Sequence, residues 1–302
     1  MILDMKALNN KTIQASLLVA ISGILYGFLG YMGTKIIDEN LSIPMMLFWR
    51  FLVAGLWMSL FFAKKQLKNK KLARADKRTL CYTFLFGAIG YSGSCGFFFM
   101  ASQYTGTGVA MVIFFSYPIA VALCNCFLHK EAMKIGTGIS LLAITLGLFL
   151  LRDSTNHPIS LVGILLGVLA ALSYAFYVIG SKRFSSLNVD STLLTMVVCF
   201  SCAFIFCLLA VADHSFVVPH SLRTWGYILG LGIFVTALPI QLMLEGLKHI
   251  SSMRASIISV LEPLVTVLVG ILLLNESISS IQLLGVIILL GSTILIQFQK
   301  GL

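Results

Sequence analysis

Charge is what this sequence has least of. Of its 302 residues only 11% are Asp, Glu, Lys or Arg, less than half of the roughly 25% carried by a soluble domain. Acidic residues are the scarcer half, 11 against 21 Lys and Arg. With 59% hydrophobic residues and a mean hydropathy of +0.99, the chain cannot cover itself with polar surface in water. That excludes a soluble globular domain and a disordered chain. It also excludes a nucleic-acid domain whose basic face would explain the net charge of +10. The solvent that remains is a bilayer.

Histidine is sparse too, at 129, 157, 214, 220 and 249, always in or beside a polar stretch. There is no H-E-x-x-H, Walker A or G-x-S-x-G motif. Metalloprotease chemistry, ATP-driven transport and serine-type intramembrane hydrolysis therefore lack their machinery, and no metal or cofactor is expected. The seven cysteines lie inside apolar runs and read as small buried hydrophobes. Cys199 and Cys202 have C-x-x-C spacing without a second pair or a histidine to complete a metal site.

What is abundant is long apolar sequence. Runs fall at 14–33, 44–63, 79–101, 106–128, 135–151, 160–181, 192–212, 225–243, 253–274 and 281–298. Each is too long and continuous for a dyad-alternating barrel strand, and in lipid a span must satisfy its own backbone hydrogen bonds. The expected fold is an all-α integral membrane protein with ten transmembrane helices. The first run has no small-residue cleavage site behind it and is expected to be a retained helix. With the N-terminus inside, 17 of the 21 Lys and Arg residues fall in cytoplasmic segments, eight of them between Lys64 and Arg78. Both termini are therefore expected in the cytoplasm.

The halves repeat. Pro118 and Pro263 are 145 residues apart, as are Glu131 and Glu276, Tyr82 and Tyr227, and Gly87 and Gly232; Tyr26 and Tyr174 are 148 apart. Two copies of a five-helix unit, 14–151 and 160–298, are expected. An odd helix number inserts the second copy upside down, which gives inverted five-helix repeats.

Glu262 is the sharpest candidate for function. Counting from Met253, it sits about 14 Å into a core about 30 Å thick, where an ionised group is costly unless paired or facing water. It suits substrate or proton binding, or a structural bond to a neighbouring helix. Pro118 and Pro263 cannot donate to the carbonyls of Phe114 and Ser259, so helix breaks that expose polar backbone at mid-depth are expected there. Tyr117, repeat-related to Glu262, offers a hydroxyl at the same depth. Arg50 is about 9 Å in from Pro44 and can hold a carboxylate or tie helices together. Tyr26, Tyr91, Tyr174, Tyr177, Trp49 and 97–99 supply rings for planar or cationic solutes, and Gln103 and Gln241 could orient a ligand. Gly87, Gly90, Gly93 and Gly96 allow close helix approach.

The segment Phe114-Phe115-Ser116-Tyr117-Pro118 running on to His129-Lys130-Glu131, and its counterpart Val260-Leu261-Glu262-Pro263 running on to Asn275-Glu276, resemble the signatures of EamA-type members of the drug/metabolite transporter superfamily. So does Arg50 in the second run. The resemblance implies a polytopic carrier of small organic metabolites with a cavity between the halves, open to one side at a time, expected in a bacterial inner membrane. The acid at this position is present only in the second half, since Tyr117 carries no charge. The expected cargo is an amino acid or a derivative such as S-adenosylmethionine, with proton or exchange coupling. The rivals are an exporter of drugs or quaternary amines, a membrane group transferase and a channel.

Overall fold

Helices account for nearly all the residues that the computed structural model describes, which are 2–37, 41–68, 76–129, 135–151, 160–185, 189–274 and 279–298. In chain order they are α1 (Ile2–Tyr26), α2 (Leu29–Ile37), α3 (Ile43–Lys68), α4 (Lys77–Leu85), a π-helical segment π1 (Phe86–Tyr91), α5 (Ser92–Thr105), α6 (Thr107–Phe114), α7 (Tyr117–His129) and α8 (Ile135–Leu151). The second half follows as α9 (Leu161–Ser185), α10 (Ser191–Ala212), α11 (Leu222–Gly232), π2 (Ile233–Ala237), α12 (Leu238–Gly246), α13 (Ser252–Ile258), α14 (Leu261–Leu274) and α15 (Ser280–Phe298). Glu131, Glu276, Lys130, Lys134, Arg152, His157 and 69–75 of the basic block lie outside the described residues.

Eight segments are long and apolar enough to cross a membrane, and two further apolar stretches, Ile135–Leu150 and Ser280–Ser292, are shorter. The chain is thus a multi-pass membrane protein. Its outer faces agree: Leu142, Leu161, Leu222 and Leu272 are exposed, whereas tyrosines, serines and Arg50 are buried. That distribution inverts the soluble pattern, as lipid contact requires.

Several of the spans are broken. The first run is two helices, because the chain turns at Gly27 and Phe28. Turns at 115–116 and 259–260 interrupt the spans that carry Pro118 and Pro263. Pro263 cannot donate to the Ser259 carbonyl, but that carbonyl is not left free: it accepts the Glu262 N–H at 3.0 Å, because the turn tightens and supplies a nearer donor.

Packing is reciprocal between the halves. α1 lies on α12 and α9 on α5; α3 crosses π2 and α10 crosses π1. The two crossings are made by glycines 145 residues apart. A Cβ on Gly87 would stand 2.1 Å from Ser201 Oγ and 3.1 Å from Val198 Cα, and one on Gly232 would stand 2.6 Å from Val53 Cγ1 and 3.1 Å from the Arg50 carbonyl. Arg50 and Val198, like Val53 and Ser201, are 148 residues apart. Gly90 and Gly93 abut Ser173 of α9 in the same close manner. The third spans of both halves thus approach their partners almost backbone to backbone, which brings the groups of the interior together.

Candidate functional site

Between the halves lies a cavity of about 380 Å³. Tyr26, Arg50, Tyr91, Tyr174 and Glu262 line its deep part, and Leu41, Ser42, Phe98, Phe99, Ser102 and Gln103 line it nearer the chain turns at one end of the spans. Residues of the first half make most of the wall, with Tyr174, Glu262 and Thr266 reaching in from the second.

Arg50 is held from one side only. Although 1% exposed, its guanidinium donates from Nε to Thr236 Oγ1 at 2.6 Å, and Thr236 donates in turn to the Leu231 carbonyl at 2.8 Å. That second bond spans five residues, the spacing a π-helical turn provides, and π-turns of this kind often accompany functional sites. The guanidinium also lies over the Phe51 ring, 5.0 Å from its centroid. Among the described residues, Nη1 of Arg50 is buried without a hydrogen-bond partner. A buried polar group left without a partner costs about 1–3 kcal/mol.

Glu262 stands in the first turn of α14, where the helix dipole favours negative charge. It lines the same cavity as Arg50 but does not ion-pair with it. One fixed cation and one carboxylate therefore face one volume without neutralising each other. Rings complete the wall. The hydroxyls of Tyr26 and Tyr91 are 2.7 Å apart, and Tyr91 meets Phe51 edge-on at 5.6 Å. Phe114 and Tyr174 have centroids 5.4 Å apart.

Not every candidate from the sequence reaches the cavity. Tyr117 lies behind it: its hydroxyl donates to the Ser256 carbonyl at 3.0 Å and its ring meets Tyr174 edge-on at 4.6 Å. Gln241 is elsewhere, with Oε1 accepting from Thr195 at 2.9 Å, because α12 turns it toward α10. Trp49 packs on Trp225 and donates to the Val217 carbonyl. Gln103 does line the cavity. Sequence reasoning missed Thr236 and Cys95, although Thr236 stands 145 residues after Tyr91 and so was within reach of the repeat.

Polar contacts tie the helices together at the opposite end of the spans. Lys65 at the end of α3 pairs with Asp190, which caps α10 through the Thr192 N–H at 2.9 Å. Ser191 donates to Glu245 at 2.6 Å, Lys248 pairs with Glu245 at 2.9 Å, and Lys182 donates to the Leu247 carbonyl at 2.7 Å. Burial alone would push the Asp190 carboxyl up, but the bonds from Lys65 and Thr192 hold it below its ordinary range.

The sequence profile of the EamA-like transporter family matches this chain twice, over 13–152 and 161–298. The chain belongs to that family. Its relatives include an uncharacterized transporter of Clostridium kluyveri, 23% identical over 91% of both chains, and the uncharacterized inner membrane transporter YicL of Salmonella typhimurium, 25% identical over 96% of this chain and 97% of that one. A solved protein structure shares the fold with a TM-score of 0.77 at 17% identity, covering 93% of this chain and 96% of that chain. As an EamA-family transporter, the chain acts on a small molecule in a bilayer.

Proposed function

We propose that the protein is a secondary carrier of a small organic metabolite, an amino acid or a derivative such as S-adenosylmethionine, that works by alternating access. The observation that carries this reading is one cavity lined by Arg50, whose Nη1 has no partner among the described residues, by Glu262 and by a wall of rings. A zwitterion satisfies both charges at once, and rings accommodate its apolar or cationic remainder. A quaternary amine satisfies only Glu262. A membrane transferase needs clustered His or carboxylates, whereas the described residues contain no group of three such side chains.

The carrier is built as ten transmembrane helices in two inverted repeats, 14–151 and 160–298, with Pro118 and Pro263 at related breaks. Reciprocal packing and paired glycine crossings support this. The basic segments place both termini in the cytoplasm of a bacterial inner membrane, so the cavity faces outward and the Lys65–Asp190 end is the closed inner gate. Glu262, Arg50, Tyr26, Tyr91 and Tyr174 contact the solute, and Tyr117 braces Tyr174 from behind. Gln241 joins α12 to α10 through Thr195, away from the solute. Coupling to protons or to an exchanged solute runs through Glu262.

Counterflow in proteoliposomes tests the reading. With unlabelled amino acids and S-adenosylmethionine inside, one labelled member added outside accumulates transiently and saturably if the protein is a carrier of that class. Sustained conductance without saturation identifies a channel, and no accumulation by folded protein removes the amino-acid class.

A further inference from the structure

The half-satisfied guanidinium of Arg50 carries the argument one step further. A long, flexible arginine side chain at a cavity wall ordinarily has several rotamers and spreads its donors among them. This one is fixed at Nε by a threonine that is itself fixed, through the π-turn, to the Leu231 carbonyl. The chain of bonds leaves Nη1 without a partner among the described residues. The acid in the cavity, Glu262, does not take it. An evolved protein that wanted Arg50 only as a tie between α3 and π2 would gain by closing the remaining donors on a carbonyl or on that carboxylate. Instead Nη1 stays buried without a partner among the described residues, on a side chain that lines the cavity.

We propose that Arg50 is the anchor for the cargo's anionic group, so that the cargo bears a carboxylate, and that Thr236 is the positioning residue that fixes the guanidinium for it. This rests on the carrier reading above and narrows it: decarboxylated amines and quaternary amines lack the group that Arg50 awaits. Threonine is suited to the task because its hydroxyl accepts from Nε and donates to a carbonyl at the same time, which valine of the same shape cannot do.

Cys95 makes the proposal measurable without knowing the cargo. It lines the same cavity as Arg50, Tyr26, Tyr91 and Glu262. In full-length protein with Cys81, Cys124, Cys126 and Cys207 replaced by Ala, the thiols left besides Cys95 are the fully buried Cys199 and Cys202. The probes are an anionic sulfonatoethyl and a cationic trimethylammonioethyl methanethiosulfonate, and the reading is their ratio of rates at Cys95. We expect Thr236→Val and Arg50→Gln each to lower the anion-to-cation ratio by about tenfold, and Thr236→Ser to preserve it. Leucine should slow labelling or compete for it less well in Thr236→Val than in the parent, while isoamylamine, its decarboxylated counterpart, should show no such difference. An unchanged ratio in folded Thr236→Val overturns the positioning role, and equal protection by leucine and isoamylamine overturns the carboxylate anchor. If the ratio shifts as expected while counterflow is absent, the anion site stands and the carrier reading falls.

Discussion

Gly226 and Gly232 stand on one helix and separate two effects that a glycine can have. A methyl at 226 meets nothing within 4 Å, while one at 232 collides with Val53 and approaches the Arg50 carbonyl. Gly226→Ala should therefore leave the unfolding temperature unchanged or raise it, since alanine gains up to about 1 kcal/mol in a helix. Gly232→Ala should lower it, by about 1–3 kcal/mol of overpacking; equal temperatures for the two variants in detergent would refute the crossing. At this scale the sequence was legible in proportion to contrast. Glu262 and Arg50 stand out because an ionised side chain within an apolar run has few reasons to be there. Thr236 does not stand out, since its role exists only once π2 carries it to Arg50. Gln241 showed its polarity in the sequence but not the face on which it would lie, and that face meets Thr195.

At the scale of elements, the start of α10 combines a cap with an ion pair in one side chain. Asp190 accepts the Thr192 N–H and pairs with Lys65. Its carboxyl is held below the ordinary range, so its stabilisation is present above the unfolded value of about 3.9 and is lost as pH falls through the lower folded value. Asp190→Ala should destabilise the folded protein by about 1 kcal/mol at neutral pH through the lost cap. The gap from the parent should narrow in strongly acid solution, where protonated Asp190 loses the Lys65 pair but can still cap; a gap that does not depend on pH would remove the ion pair's share. Asp190→Asn, which can still cap, should lose less. The helix breaks show what local sequence can and cannot announce. Those near Pro118 and Pro263 were visible because proline removes a donor. π1 contains no proline at all, and it follows from the demand that Gly87 meet α10.

At the scale of the whole molecule, residues near one end of the spans line the cavity and the other end is tied by polar contacts. Hydropathy made the membrane class readable, because lipid imposes length and apolarity on a span, and eight segments among the described residues meet both demands. Which end stands open was not readable, since both halves carry similar patterns and only packing breaks their equivalence. In sealed right-side-out vesicles, an impermeant thiol reagent should label Cys95 from outside, and in inverted vesicles it should label Cys95 far more slowly; the reverse preference would invert the assignment of the gates. The most direct measurement of the central claim, that Arg50 and Glu262 face one solute in one cavity, is counterflow by Glu262→Gln beside Gln241→Ala, each checked for correct insertion. The account predicts that Glu262→Gln loses accumulation or its dependence on pH while Gln241→Ala retains a saturable signal. Parental accumulation with an unchanged pH profile in Glu262→Gln would contradict it and leave Glu262 a structural residue.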